Sequence, residues 1–132
     1  MAGGAKPSAS RAYVCMPSNF RGLAAYQRAR KLADELREVV LRWPEFDRDS
    51  VGLQLIRAAD SVSANIAEAG GRRTVKDKRH FLMIARGSLL ETEHWLETAH
   101  VRGLITHNYE DEVASVARPL NGLINKPAPA SQ

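Results

Sequence analysis

The chain of 132 residues has a single cysteine and no long uncharged apolar run. One cysteine, Cys15, cannot form an intrachain disulfide, so a reducing, cytoplasmic setting is the simplest expectation. A membrane-spanning helix needs about 20 consecutive apolar residues. No run approaches that length, and the N-terminal residues MAGGAKPS lack the apolar segment of a signal peptide. No membrane association is therefore expected.

Aromatic residues are also scarce, at 6%, whereas alanine and leucine are plentiful, and this balance favours helices over sheets. The chain is long enough for one independent core, and its 44% hydrophobic and 26% charged residues are ordinary for a globular protein. The net charge is +4 and the pI is about 9.6. Such a mildly basic chain permits an acidic partner, but the same charge also serves solubility.

Apolar residues recur at steps of three and four in four segments, which predicts four amphipathic helices. The first helix is expected over residues 22–43, because Pro44 disfavours helical geometry at Trp43. The second helix is expected to start shortly afterwards, where three residues are candidate N-caps. These are Asp47, Asp49 and Ser50.

The second helix is expected to run to about residue 69, where Gly70 or Gly71 is free to take the left-handed conformation that ends many helices. The third helix is predicted to begin after Thr74, because Thr74 and Asp77 form a pattern resembling a capping box. It runs to about residue 102, with Gly103 as its stop.

The fourth helix is expected to begin after Thr106 or Asn108, and Pro119 inside it predicts a kink or a shorter helix. Four amphipathic helices joined by short loops predict an all-α, antiparallel, up-down-up-down four-helix bundle. The expected organisation is a disordered N-terminal arm at 1–19, the bundle at 20–125 and a disordered C-terminal tail at 126–132.

One polar residue interrupts the apolar stripe of the second helix. Asn65 shares a face with apolar residues three and four positions away, so it is expected to be at least partly buried. A buried amide without partners costs about 1–3 kcal/mol. Ser61, Glu68 and Arg72 lie at neighbouring helical positions, and a structural polar cluster of these four residues is expected.

The strongest charge feature is the segment RRTVKDKRH, residues 72–80, which we call the basic turn. Helix N-termini attract anions, so these cations at the start of the third helix predict phosphate contacts. The alternative is a solvated helix face, and no interleaved aromatics provide a platform for base stacking. The first helix of an antiparallel bundle begins at the same end. The candidate nucleic-acid contacts are Arg72, Arg73, Lys76, Lys78 and Arg79, flanked by Arg28 and Lys31.

Patterns for catalysis or cofactor binding are weak. Glu91 and His94 have the Glu-x-x-His spacing of a di-iron bundle site, but such a site needs a second pair, and the fourth helix contains no histidine. The serines lack a readable histidine and carboxylate relay, and Gly70-Gly71 has neither the preceding strand nor the following lysine of a phosphate loop. No catalytic residue, metal or cofactor is expected, and the chain is interpreted as a non-enzyme.

The third helix carries more apolar surface than one bundle face needs. Besides its main stripe, Leu82, Ile84 and Trp95 lie to either side. Leu82 and Trp95 are the candidates for an exposed apolar surface that a second copy would cover. A homo-oligomer is therefore expected.

Several motifs together resemble the bacterial four-helix-bundle family, also called the ribosomal-RNA intervening-sequence protein family. The resemblance extends from about Phe20 to Ile124, and the central motifs are the most specific. The chain departs from the family pattern at Ala69, where glycine is usual, and at Gly70, where an aromatic is frequent. The motifs are Asn65–Glu68, Gly71-Arg72 and Phe81–Glu91, with Leu23–Ala29 and Leu120–Ile124 near the two ends.

The resemblance implies a ring-shaped homopentamer without catalytic residues. Some family members are encoded within intervening sequences of large-subunit rRNA genes. Others resemble the accessory variability protein of diversity-generating retroelements, which binds a reverse transcriptase and nucleic acid. The expected function is thus a non-enzymatic, oligomeric nucleic-acid-binding accessory factor of low specificity, with RNA or DNA and a reverse transcriptase as possible partners. A protein–protein scaffold without a nucleic-acid role is the alternative.

Overall fold

Residues 20–126 are described by a computed structural model, and four main helices account for most of them. The predicted all-α four-helix bundle is confirmed, whereas the predicted disorder of 1–19 and 127–132 lies outside the described residues. A 3-10 turn at Phe20–Gly22 precedes the first helix. The helices are α1 at Ala24–Val40, α2 at Leu53–Gly70, α3 at Val75–Val101 and α4 at Glu110–Asn125.

Each helix packs against two others, which gives the bundle a square cross-section. Helix α1 contacts α2 and α4, and α3 contacts the same two helices from the opposite corner. The chain therefore runs up, down, up and down, and the starts of α1 and α3 lie diagonally across one end of the bundle. That diagonal separates the two groups of cations that the sequence analysis placed together.

The core is a continuous hydrophobic cluster, mostly aliphatic, to which all four helices contribute. Leu36, Leu55 and Leu120 have no exposed surface, and Ile66 is 1% exposed. Burying each such side chain contributes about 1.5–3 kcal/mol relative to leaving it in water. The core positions follow the predicted three-four spacing on every helix, so apolar periodicity determines which faces meet.

The turn between α1 and α2 differs from the prediction. Helix α1 ends at Val40, and Trp43 lies beyond it but is 7% exposed and belongs to the core. The chain re-enters helical geometry directly after Pro44, at Glu45–Asp47. The predicted N-caps at Asp47, Asp49 and Ser50 are therefore wrong. Proline suits a helix start because its φ is fixed near helical values and it has no N–H to leave unpaired.

Helix α2 is preceded by a π-helical segment, Arg48–Gly52, that continues from Glu45–Asp47 without a break. Gly52 lies where this segment passes the end of α1. A Cβ at Gly52 would stand 2.5 Å from Val40 Cγ1 and 3.4 Å from Trp43 Cε3. The absence of a side chain therefore allows the two helices to approach closely at this point.

The C-terminus of α2 does not use a left-handed glycine. Gly71 has φ −88° and ψ −4°, so the prediction of a left-handed Gly70 or Gly71 is wrong. The last turn tightens instead, because the Gly71 N–H donates to the Glu68 carbonyl and the Arg72 N–H donates to the Ala69 carbonyl, both at 3.1 Å. These bonds occupy carbonyls that a helix end otherwise leaves unpaired.

Helix α3 has the ends that the sequence predicts. The Thr74 hydroxyl accepts a hydrogen bond from the Asp77 N–H at 3.0 Å, which is the N-cap contact of a capping box. At the other end Gly103 has φ 76°, the only positive φ among residues 20–126. The Leu104 N–H then reaches back to the Ala99 carbonyl at 2.8 Å. This closure requires the left-handed conformation that glycine adopts without strain.

Two apolar residues of α3 that were predicted to be exposed are buried or half-buried in the structure. Leu82 is 4% exposed and belongs to the core, and Trp95 is half-buried against it. The exposed large apolar side chains in the middle of α3 are instead Met83, Ile84 and Leu90, which are 42%, 39% and 59% exposed. The expectation for Leu82 was wrong because it lies four residues after Lys78 and three before Ala85, on the core face of the helix.

Candidate nucleic-acid interface

The basic turn joins α2 to α3 and occupies one end of the bundle. Arg73 and Lys76 are both exposed, and neither forms an ion pair with any residue between 20 and 126. Lys76 lies in the first turn of α3, where the helix dipole already favours a negative ligand. These two cations therefore have the geometry and the freedom to contact phosphate.

Arg72 is held by two neighbours on the same surface. Its guanidinium forms an ion pair with Glu68 one helical turn earlier. Its Cζ lies 4.5 Å from the centre of the Phe81 ring, in cation–π contact. Both members of the ion pair are about half exposed, so the pair contributes little stability and leaves Arg72 within reach of solvent.

Lys78 is removed from the predicted interface by burial. Its side chain is 6% exposed, and its ammonium group donates to the Ala69 carbonyl in the last turn of α2 at 3.4 Å. A cation at a helix C-terminus is favoured by the dipole, and here it also satisfies a carbonyl. Lys78 therefore joins the end of α2 to the start of α3, and the expectation that it contacts phosphate is wrong.

Arg79 has a divided role. Its Nε donates to the Ile124 carbonyl at 3.0 Å, in the last turn of α4, while the residue as a whole remains exposed. One edge of the guanidinium thus holds the end of α4 against α3. The other edge faces solvent and remains available to an anion.

Arg28 is positioned by the proline inside α4. Pro119 has no N–H, so the carbonyl of Ser115, four residues earlier, lacks its normal helical donor. Arg28 on α1 supplies one, with Nη1 donating to the Ser115 oxygen at 3.1 Å. Helix α4 runs through Pro119 from Glu110 to Asn125, so of the predicted kink or shortening, the shortening does not occur. Arg28 is thereby engaged between α1 and α4.

Lys31 lies one turn further along α1, in a groove of about 490 Å³ between α1 and α4. The groove also contains Arg28, Arg118 and two carboxylates, Glu35 and Glu112. The hydrogen bond from His107, at 2.7 Å, holds the pKa of Glu112 below its ordinary value. The groove is therefore lined by three cations and two carboxylates.

The seven predicted contact residues therefore do not form one patch. The solvent-accessible cations of the basic turn are Arg72, Arg73, Lys76 and the free edge of Arg79. Arg28 and Lys31 line the groove between α1 and α4, while α1 itself lies diagonal to α3.

The opposite end of the bundle has a different character. A cleft of about 510 Å³ opens there between α3 and the start of α4. Its polar lining includes the carboxylates Glu93, Glu97 and Glu110. Burial raises the pKa of Tyr109, which also lines the cleft, with a further contribution from neighbouring carboxylates. These carboxylates contrast with the exposed cations of the basic turn at the other end of the bundle.

The predicted polar cluster separates into two parts. Asn65 donates through Nδ2 to the carbonyl and the hydroxyl of Ser61, at 2.8 and 3.0 Å. The Ser61 hydroxyl lies 2.8 Å from the Ser88 hydroxyl on α3, and Thr92 donates to the Ser88 carbonyl at 2.8 Å. We call Ser61, Asn65, Ser88 and Thr92 the polar network. Glu68 and Arg72 form their own surface pair.

Glu91 and His94, the pair with Glu-x-x-His spacing, both contact Trp95. Glu91 accepts a hydrogen bond from the Trp95 indole N–H at 3.3 Å, and His94 lies exposed with its ring edge-on to Trp95. Between residues 20 and 126, no three or more histidine, cysteine, aspartate or glutamate side chains come together in a way that would hold a metal ion.

The comparison with known families identifies the bundle. A family model described as 23S rRNA-intervening sequence protein matches residues 21–126, which include all four helices. The chain belongs to this family. A comparison with curated proteins gives no match.

For this member of the 23S rRNA-intervening sequence protein family, the matched region contains both the basic turn and the polar network. None of the helices within residues 20–126 is sufficiently long and apolar to span a membrane.

Sequence reasoning missed two residues that the structure brings into these sites. Ser88 links the polar network to α3, and Arg118 joins Arg28 and Lys31 in the groove. Ser88 was detectable in the sequence, because Ser88 and Thr92 interrupt the apolar stripe of α3 as Asn65 interrupts that of α2. No sequence pattern indicated Arg118, since it is distant in sequence from the cations of α1.

Proposed function

We propose that this protein is a non-enzymatic, oligomeric accessory factor that binds nucleic acid through the basic turn. The observation that carries the proposal is the pair Arg73 and Lys76. Both are exposed at the start of α3 and have no ion pair among residues 20–126. Arg72 and the solvent-facing edge of Arg79 supply additional positive charge around them.

Binding of this kind is weak for one bundle and tolerant of sequence. Two to four phosphate contacts position a strand but carry no information about its bases. The ring of Phe81 lies beneath Arg72, so it is not open to stack on a base. Each neutralised phosphate releases counterions, so we expect affinity to fall steeply with salt.

Self-association is the second part of the proposal. We place the protein in the cytoplasm as a homo-oligomer, with the pentameric ring that the family resemblance implies. A ring repeats the basic turn around one face, and linked weak sites gain avidity on a long strand. The resemblance also makes a reverse transcriptase a candidate partner for such an assembly.

The proposal is tested with the double variant Arg73→Ala, Lys76→Ala. Filter binding and gel shifts are measured with single- and double-stranded RNA and DNA over a range of salt concentrations. Loss of two phosphate contacts is expected to reduce the slope of log K against log salt by about 2 and to weaken binding to all four ligands.

A matched control removes two exposed cations from the opposite end of the bundle, Arg42→Ala with Arg102→Ala. This variant has the same net charge as the test variant, and we expect it to bind nearly as the unmodified protein does. Equal losses in the two variants, at the same oligomeric state, would mean that overall charge rather than the basic turn is responsible.

A protein–protein scaffold is the second candidate. The observation that favours it is the exposure of large apolar side chains away from the basic turn, above all Phe46 at 82% and Val101 at 77%. If the unmodified protein binds none of the four nucleic acids at low salt, the basic turn serves solubility and the scaffold function takes precedence.

A further inference from the structure

The outward face of α3 carries a regular stripe that no other helix within residues 20–126 covers. Along this helix the core face includes Leu82, Leu89 and Leu96. On the opposite face, six exposed residues recur at steps of three and four, the spacing by which one helix packs along another. We call these residues the outer seam: His80, Met83, Gly87, Leu90, His94 and Glu97.

In the middle of the outer seam, a protruding leucine lies one turn from a glycine that leaves a gap on the surface. Leu90 is 59% exposed, which is unusual for a leucine in the centre of a 27-residue helix. Gly87, one turn before it, is exposed, and a Cβ built there would meet no atom within 4 Å. A leucine from a second helix would therefore fit over Gly87 without displacing anything.

The charges beside the outer seam change sign along the helix. Arg79 and Arg86 lie on one flank in the N-terminal half, and Glu93 and Glu97 lie towards the same flank in the C-terminal half. In a parallel pair this flank would face the partner's opposite flank, and these charges would not meet. In an antiparallel pair the same flanks meet, so arginine lies against glutamate on either side of a two-fold axis and the pattern complements itself.

We propose that two copies of this chain pair through the outer seam of α3, antiparallel, about a two-fold axis between Gly87 and Leu90. In this register Leu90 lies over the partner's Gly87, and Met83 lies opposite the partner's His94. The remaining seam position brings Glu97 against the partner's His80. Arg86 lies beside the partner's Glu93, and the axis repeats every one of these contacts.

The contact is isologous, so it closes on two copies and adds to a ring rather than building one. It shares His80 and the flanking Arg79 with the basic turn, but it uses a different face from Arg73 and Lys76 and does not depend on nucleic-acid binding. Substitutions at Met83, Arg86, Glu93 and His94 leave Arg73 and Lys76 in place, and the double variant Arg73→Ala, Lys76→Ala leaves the outer seam unchanged.

The register is tested by disulfide trapping in the full chain with Cys15→Ser. The variants Met83→Cys and His94→Cys are oxidised separately and as a mixture, and non-reducing gels report the covalent dimer. In the proposed register each new cysteine is about 16 Å along the helix from its own copy in the partner. The mixture should therefore cross-link strongly and each variant alone should not. Strong cross-linking of the separate variants, or none in the mixture, overturns the proposal.

The charge pairing is tested by exchange. Arg86→Glu and Glu93→Arg each create two like-charge contacts across the axis, and each is expected to weaken self-association by about fivefold or more in sedimentation equilibrium. The double variant restores opposite charges and should recover the association of the unmodified protein. If the double variant associates no better than the single ones, the flanks do not pair and the antiparallel register is wrong.

Discussion

Replacing Gly52 by alanine adds one methyl group where the π-helical segment passes the end of α1. The new Cβ would lie 2.5 Å from Val40 Cγ1 and 3.2 Å from the Asp47 carbonyl oxygen. Val40 is 1% exposed, and a β-branched side chain has few alternative rotamers, so it cannot turn aside without disturbing the core. We expect Gly52→Ala to destabilise the bundle.

Two opposing effects set the magnitude. Gly52 has helical dihedral angles, φ −60° and ψ −44°, so alanine gains about 1 kcal/mol of helix propensity. Forcing a methyl group into a packed core costs about 1–3 kcal/mol. The net loss is therefore about 1 kcal/mol, which corresponds to a decrease in melting temperature of about 3–5 °C for a domain of this size.

The assay is urea and thermal unfolding at fixed protein concentration, with Gly122→Ala as the matched control. Gly122 lies inside α4, and a Cβ there meets nothing within 4 Å, so the same substitution should stabilise by about 1 kcal/mol. In a Val40→Ala background the clash at Gly52 is removed, and Gly52→Ala should become neutral or stabilising. Stabilisation of the otherwise unmodified protein by Gly52→Ala would refute the packing argument.

Three further predictions follow from the hydrogen bonds. Asn65→Ala should lower the free energy of unfolding by about 1–3 kcal/mol in urea titrations, because the polar network loses its amide donor; an unchanged value would contradict this role. Arg28→Ala should destabilise the protein less in a Pro119→Ala background, where the new N–H can bond the Ser115 carbonyl, and a double-mutant cycle measures the coupling. The pKa of Glu112 is lowered, so its contribution to stability is present above the ordinary glutamate pKa and is lost as pH falls. Glu112→Gln should therefore flatten the melting-temperature profile as pH falls below the ordinary glutamate pKa of 4.5, and an unchanged slope would count against it.

Local and periodic features of the fold were predictable from sequence. The four helices, the Thr74 cap and the Gly103 stop each depend on residues within one or two turns of each other. The turn after Pro44 was not predictable from sequence. Three candidate cap residues follow the proline, but the helical segment begins directly after Pro44 without a side-chain cap.

The candidate site was predictable only in part. Charge counting along residues 72–80 treats every cation alike, but Lys78 lies on the same helical face as Leu82 and Ala85, and periodicity places it in the core. The role of Arg28 depends on a carbonyl 87 residues away, which no local pattern reveals. Sequence therefore located the basic turn but did not separate its structural cations from its exposed ones.

The π-helical segment at Arg48–Gly52 also affects how the chain tolerates changes in length. In a regular helix, one inserted or deleted residue rotates everything beyond it by about 100° and moves the core face to solvent. A π turn already holds one residue more than an α turn. Deleting one residue there converts the segment to α-helix and leaves Leu55 and Ile66 facing the core. The same deletion in the middle of α2 would leave Leu55 in place and turn Ile66 away from the core.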